Sequence, residues 1–202
     1  MLPVKPVVGI VGTHDELHED LFTDSDHAGC PFTRRSTSGA ISILTGNVTH
    51  WPIAWSSNLQ KFVTRCSAEA EGRAIQDGLG DEAAEMNDQA QNLHALSTAL
   101  ARGALGQVAL FERLIGDSVH MRIFGDATAA LACARRGSIK LMKYLPKTQS
   151  VDFLWIKEVV EHNGIKMLKV DSSRNPADIL TKTVSSAVLR EILPLIGRAA
   201  IA

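Results

Sequence analysis

Leu21-Phe22-Thr23-Asp24-Ser25-Asp26-His27-Ala28-Gly29 decides how this chain folds, because it sets two carboxylates into a run that otherwise reads as a β-strand. Residues two apart on a strand point the same way, so Asp24 and Asp26 share a face. Taken alone, an Asp-x-Asp pair reads first as an exposed edge or a turn cap. Only partners elsewhere in the chain can change that reading. After the turn-rich Pro31-Phe32-Thr33-Arg34-Arg35 come two β-favouring stretches, Gly39 to Leu44 and Val48 to Ser56, separated by Thr45-Gly46-Asn47. Gly46 and Asn47 both tolerate a positive φ, so the three stretches predict a three-strand meander.

Past Ser67 the texture turns to Ala, Glu, Gln and Leu, and apolar residues such as Leu93, Leu96, Leu100, Val108 and Phe111 fall at three-to-four spacing. That period predicts helix. Gly78, Gly80, Gly103 and Gly106 divide it into two or three pieces. A strand follows from Val119 to Phe124, then a short Ala-rich helix from Thr128 to Ala134 and a basic stretch from Arg135 to Lys147. A helix from Val151 to Glu161 stops at Asn163-Gly164, a strand runs from Ile165 to Val170, and Pro176 opens a last helix carrying Asp178. Alternating strand and helix after a meander predicts an α/β fold with a mixed sheet. No repeat of fixed period is present, which argues against solenoids.

At 202 residues the chain is long enough for one domain with a sizeable core. With 45% hydrophobic and 21% charged residues it has the composition of an ordinary globular protein. A net charge of -1 excludes a bulk polycation, so any nucleic-acid binding must come from local patches. Cys30, Cys66 and Cys133 are odd in number and far apart, against both a disulfide framework and a zinc knuckle. A reducing compartment follows, the cytoplasm with the nucleus as alternative. Residues 1–19, broken by Pro3, Pro6, Gly9 and Gly12, read as a leader or linker without a membrane span or signal. The Asn47-Val48-Thr49 sequon is then expected to be silent. His14-Asp15-Glu16-Leu17-His18 spaces two histidines as a zinc protease does, yet Asp15 stands where that motif needs Glu, so zinc catalysis is not expected.

Three more acids change the reading of Asp24. Glu71 lies near the start of the long helical region, Asp126 just past the strand ending at Phe124, and Asp178 in the last helix. Side chains at strand ends and helix starts of α/β folds can converge on one cleft. Carboxylates so gathered repel each other, and hard oxygen ligands select Mg²⁺ or Mn²⁺ to neutralise them.

In order along the chain, Thr23-Asp24-Ser25-Asp26-His27-Ala28-Gly29, Arg34-Arg35-Ser36-Thr37-Ser38-Gly39, Ser67-Ala68-Glu69-Ala70-Glu71, Phe124-Gly125-Asp126 and Ala177-Asp178-Ile179-Leu180-Thr181-Lys182 resemble five motifs of one family. That family is the ribonuclease H domain of Ty1/copia-type retrotransposon polyproteins. The resemblance spans roughly residues 20 to 183. It implies a ribonuclease H-like α/β fold: a mixed five-stranded sheet, three antiparallel strands then parallel ones, flanked by helices. It implies two Mg²⁺ or Mn²⁺ ions held by Asp24, Glu71, Asp126 and Asp178, and hydrolysis of the RNA strand of an RNA/DNA hybrid. Asp24 is expected to bridge both ions, Glu71 and Asp126 to complete the leaving-group side, and Asp178 to serve the water side. Asp26 and Glu69 are expected behind this set or on the solvent side.

Arg34, Arg35, Ser36, Thr37 and Ser38 are the expected nucleic-acid contacts, joined by Lys61, Arg65, Arg73, Arg135, Arg136, Lys140, Lys143 and Lys147 as further backbone candidates. A reverse transcriptase domain of the same polyprotein is the expected protein partner. The domain reading is a unit over 20–183 with a helical insertion near 80–103, and a helical tail over 184–202. Two departures are expected to loosen the site: Gly72 stands where the family has an aromatic, and Ala127 where it has Asn. Two other readings stand beside the nuclease. One is an inactive remnant or hybrid-binding module of the same fold, and the other a DNA-directed nuclease such as an integrase or resolvase.

Overall fold

The structure, a computed structural model, describes residues 16–47, 49–80, 103–138 and 152–197. The meander forms as β1 (His18–Asp26), β2 (Thr37–Thr45) and β3 (His50–Leu59), antiparallel throughout, with Asp24 opposite Gly39 and Ile41 opposite Trp55. Pro52 is tolerated because β3 is the outermost strand, where a missing N–H breaks no ladder on its free side.

β1 begins three residues before the expected Leu21, so His18 and Glu19 belong to the sheet rather than to a leader. Its polar start looks like a linker in sequence and becomes strand through distant partners. Arg122 clamps Asp20, Nε to Oδ1 at 2.6 Å and a terminal nitrogen to Oδ2 at 2.8 Å. Glu19 is wholly buried, and burial pushes its carboxyl well above the usual range.

Of the helical region, the described residues include α1 (Ser67–Leu79) and α2 (Ala104–Ile115). The expected insertion falls almost wholly outside the described residues, but its flanks are in contact: a Cβ on Gly103 would lie 2.7 Å from the Gly80 Cα, and both glycines have positive φ. Then come β4 (His120–Gly125), α3 (Thr128–Arg136), α4 (Phe153–His162) and β5 (Lys166–Lys169). A 3-10 turn at Ser172–Arg174 leads to α5 (Asp178–Thr181), α6 (Ser186–Ile192) and a closing 3-10 helix at Leu193–Ile196.

The sheet order is β3-β2-β1-β4-β5, with β1 parallel to β4 and β4 parallel to β5. An antiparallel meander whose first strand carries the parallel extension is the ribonuclease H-like arrangement. One face of the sheet packs Leu21 and Ile123 against Ile75 of α1 and Ile156 of α4, all essentially buried. Each such side chain contributes roughly 1.5–3 kcal/mol. The other face packs Ile41 and Ile43 against Ala177 and Ile196, which brings the C-terminal segment down onto the sheet beside Asp24. No helix among the described residues is long and apolar enough to cross a membrane.

Candidate metal centre

β1 and β4 are parallel neighbours, and Phe22 pairs with Phe124 in their register. Two residues further on each chain stand Asp24 and Asp126, so both carboxylates leave the C-terminal edge of the central strands, where open α/β sheets place ligands. Glu71 comes from the first turns of α1. Ligand oxygens of Asp24, Glu71 and Asp126 all lie within 4.8 Å of one another. Asp24 and Glu71 are buried, and Asp126 is half-buried.

Local sequence explains how each acid is held. Glu69 accepts the Arg65 N–H at 2.7 Å, closing the start of α1 in the manner of a capping box, which removes Glu69 from the cluster. Asp26 is also outside it: its carboxylate lies against Gly29, where any Cβ would be within 2.4 Å of three Asp26 atoms. Glu71 Oε1 accepts the Ser25 N–H at 3.3 Å. Gly72, expected to loosen the site, leaves no empty space beside it. The Phe153 ring fills its place, with Cζ only 2.2 Å from where a Cβ would be, so an aromatic arrives from α4 instead of from position 72. Ala127 is the N-cap of α3 and offers no side-chain acceptor, so that departure leaves the helix start beside Asp126 uncapped.

The fourth acid arrives on a latched segment. Asn175, fully buried, donates from Nδ2 to the Thr23 carbonyl at 2.9 Å and accepts the Ala177 N–H at 3.2 Å. Gly39 lets α5 approach, since a Cβ there would sit 2.6 Å from Thr181 Cγ2. The Thr181 hydroxyl then donates to Asp24 Oδ2, and the Ser172 hydroxyl donates to Asp126 Oδ2. Lys182 Nζ stands 3.0 Å from Asp178 Oδ2 and 3.8 Å from Asp24 Oδ2, tying the fourth acid to the first.

The electrostatics are those of a site short of positive charge. Burial, then the charges of Asp24 and Asp126, push Glu71 up to about 8. Burial raises Asp178 to about 6, against the opposing pull of Lys182 and with Asp24 adding to the rise. Burial pulls the Lys182 ammonium down, yet Asp178, Asp24 and Asp126 outweigh it and its pKa ends above the ordinary value. Among the described residues, the buried Asp178 Oδ1 has no hydrogen-bond partner. An orphaned carboxylate oxygen beside three gathered acids, all hard oxygen donors, fits a divalent cation such as Mg²⁺ or Mn²⁺.

The basic segment divides. Arg34 and Phe32 are exposed, and Arg34 holds a φ of 58°, a left-handed conformation unusual for a side-chain-bearing residue. Arg35 and Thr37 are half-buried. Ser36 and Ser38 are buried and their hydroxyls are committed: Ser36 Oγ accepts the Ala28 N–H and pairs with Thr64, and Ser38 donates to Asp77. Both hydroxyls are thus engaged within the protein. Arg73 pairs with Asp77, while Arg135 donates to the Met167 carbonyl. Lys140, Lys143 and Lys147 lie outside the described residues. Thr181 and Lys182 stand in a matched motif without a role assigned from sequence, and Asn175 carries no sequence signal of its own. Lys182 stands one helical turn after Asp178, the i,i+4 spacing of an ion pair, and that signal was available.

No protein-family model matches the chain. A retrovirus-related Pol polyprotein from a Nicotiana tabacum transposon, TNT 1-94, is 28% identical over 165 residues, 81% of this chain and 10% of the polyprotein. The Pol polyprotein from transposon RE1 of Arabidopsis thaliana is 28% identical over 176 residues, 87% of this chain and again 10% of the polyprotein. An uncharacterized mitochondrial protein of Arabidopsis thaliana is 44% identical over 62 residues, 31% of this chain and 24% of that protein. Among solved structures, a prototype foamy virus protease-reverse transcriptase aligns with a TM-score of 0.42 at 10% identity, covering 96% of this chain and 21% of that one. The chain thus spans about a tenth of the length of the polyproteins it matches and is similar, over most of its own length, to one segment of the retrovirus-related Pol polyproteins of copia-type transposons.

Proposed function

We propose that this chain is a ribonuclease H: a metal-dependent endonuclease that hydrolyses the RNA strand of RNA/DNA hybrids. One observation carries the reading, the convergence of Asp24, Glu71 and Asp126 from β1, α1 and the end of β4 to within 4.8 Å. Nothing in the packing of a stable domain calls for gathering like charges in this way, which costs stability unless cations repay it. The similarity to Pol polyproteins and the ribonuclease H-like topology support the same assignment.

In this reading Asp24, Glu71 and Asp126 would hold divalent metal, with Asp178 beside them as a further oxygen donor. Two divalent ions supply activation of the attacking water and neutralisation of charge on the departing oxygen. The protein's own part is positional. Ser25 N–H and the Thr181 hydroxyl orient Glu71 and Asp24, while Asn175 fixes the segment that carries Asp178. Arg34, Arg35 and Thr37 would hold the nucleic-acid backbone, and hybrid geometry with 2′-hydroxyls, rather than base sequence, would select the substrate. A reverse transcriptase domain of the same polyprotein is the proposed partner.

The test is cleavage of a labelled RNA/DNA hybrid, with single-stranded RNA and duplex DNA as controls, by the parent chain and Asp24→Asn across a Mg²⁺ series. Cutting confined to the hybrid, dependent on Mg²⁺ and abolished in Asp24→Asn, is expected. A folded parent chain that binds the hybrid without cutting it overturns the assignment in favour of an inactive binding module, and cutting of duplex DNA favours a DNA-directed nuclease.

A further inference from the structure

Among the described residues, Lys182 is the basic side chain ion-paired with the carboxylate cluster. Lys182 reaches in from a 44% exposed position to two side chains that are 3% exposed, Asp24, and 11% exposed, Asp178. It contacts one oxygen of each acid, leaving Asp178 Oδ1 buried and unpartnered. The opposite side of the cluster is arranged differently: among the described residues no Lys or Arg forms an ion pair with Glu71 or Asp126. Neutralisation is therefore lopsided. Among the described residues, a divalent ion approaching Glu71 and Asp126 meets no ammonium paired with either acid, whereas one approaching Asp24 and Asp178 meets Lys182.

We infer that Lys182 is a tethered counter-cation: in the metal-free chain its ammonium neutralises Asp24 and Asp178, and a divalent ion enters that side of the cluster only by displacing it, so that Lys182 sets how tightly that side holds metal. The inference rests on the metal-centre reading above. Three features of the side chain suit it to the task. Its tether, four residues along from Asp178, keeps the ammonium at high effective concentration. The flexible four-carbon stem lets it leave without repacking the core. Its exposure gives the displaced ammonium water to enter. A static ion pair that merely braces α5 predicts otherwise, because removing a brace weakens or leaves unchanged the binding of metal to the acids it holds in place.

The discriminating measurement is Mn²⁺ binding, read from the free-ion electron paramagnetic resonance signal at low ionic strength, on the parent chain, Lys182→Met, Lys182→Arg and Asp24→Asn. Melting temperature is recorded with and without saturating Mn²⁺. Lys182→Met is expected to bind Mn²⁺ on the order of tenfold tighter at one site. It should melt below the parent without metal and with the parent when saturated. Lys182→Arg should stay near the parent, and Asp24→Asn should bind more weakly. Unchanged or weaker binding in Lys182→Met, with Asp24→Asn still impaired, overturns the counter-cation while leaving the metal centre standing. No Mn²⁺ binding by the parent or by Lys182→Met overturns the metal centre and this inference together. Should Lys182→Met fail to fold, Lys182→Gln carries the same comparison.

Discussion

Replacing Glu71 by Gln should make the metal-free chain more stable while removing its response to metal. The Glu71 carboxyl sits at about 8 instead of 4.5, so ionising it in place costs about 5 kcal/mol. A carboxyl raised in the folded state favours folding below its unfolded value and loses that contribution as pH rises through the folded value. The parent should therefore weaken progressively between about pH 4.5 and 8 and carry the full cost above that. Gln keeps the acceptor for the Ser25 N–H but buries an amide that costs about 1–3 kcal/mol if left unpaired. The net gain at pH 9 is then about 2–4 kcal/mol, roughly 4–15 °C in melting temperature for a chain of this size. At pH 4.5, with the parent carboxyl protonated, the gain should vanish. Denaturant unfolding in chelator at pH 4.5, 7 and 9 measures the difference directly, and a Mg²⁺ titration at pH 8 should stabilise the parent more than Glu71→Gln. Equal stability of the two chains at pH 9 would refute the claim that Asp24 and Asp126 crowd a desolvated Glu71.

Gly72→Ala should lose about 1–3 kcal/mol, because its Cβ would meet the Phe153 ring at 2.2 Å, and pairing it with Phe153→Leu should recover part of the loss in thermal melts. Ala127→Asn should gain about 1 kcal/mol by supplying the acceptor that the start of α3 lacks, so a melting temperature at or below the parent's would count against that cap. Arg34→Ala and Arg35→Ala should each weaken hybrid binding across unrelated sequences and flatten its salt dependence by about one phosphate contact, read by fluorescence anisotropy between 50 and 200 mM salt, roughly the range over which such contacts are lost. An effect limited to particular base sequences would show that these arginines read bases instead.

Most of the fold was legible because its signals are local. Alternation and a Gly-Asn turn marked the meander, and the glycines at 80 and 103 marked the end of α1 and the start of α2. What escaped was decided by residues far apart in the chain. His18-Glu19-Asp20 passes for a linker until Arg122, from the neighbouring strand β4, supplies the charge that lets Asp20 lie in a sheet. Gly72 passes for a loss until Phe153 is seen filling its place. For the site, chain order and residue type pointed to Asp24, Glu71, Asp126 and Asp178 as a group; the structure gathers the first three within 4.8 Å and sets Asp178 beside Asp24 through the shared Lys182. The Ser36 and Ser38 hydroxyls look available in sequence because burial is not written there. Lys182 was overlooked for a different reason: attention to acids as ligands left the base among them unweighed.

The Asn175 latch also imposes a timetable on synthesis. Three of the four acids precede it in the chain, while Asp178 and the Lys182 ammonium follow it. As a chain grows from its N-terminus, the earlier strands and α1 can assemble while the latch is still inside the ribosome. During that interval Asp24, Glu71 and Asp126 have only protons and free magnesium to quiet them. A product cut short before Asn175 would therefore carry three carboxylates on the sheet without the Lys182 ammonium that stands beside them in the finished chain.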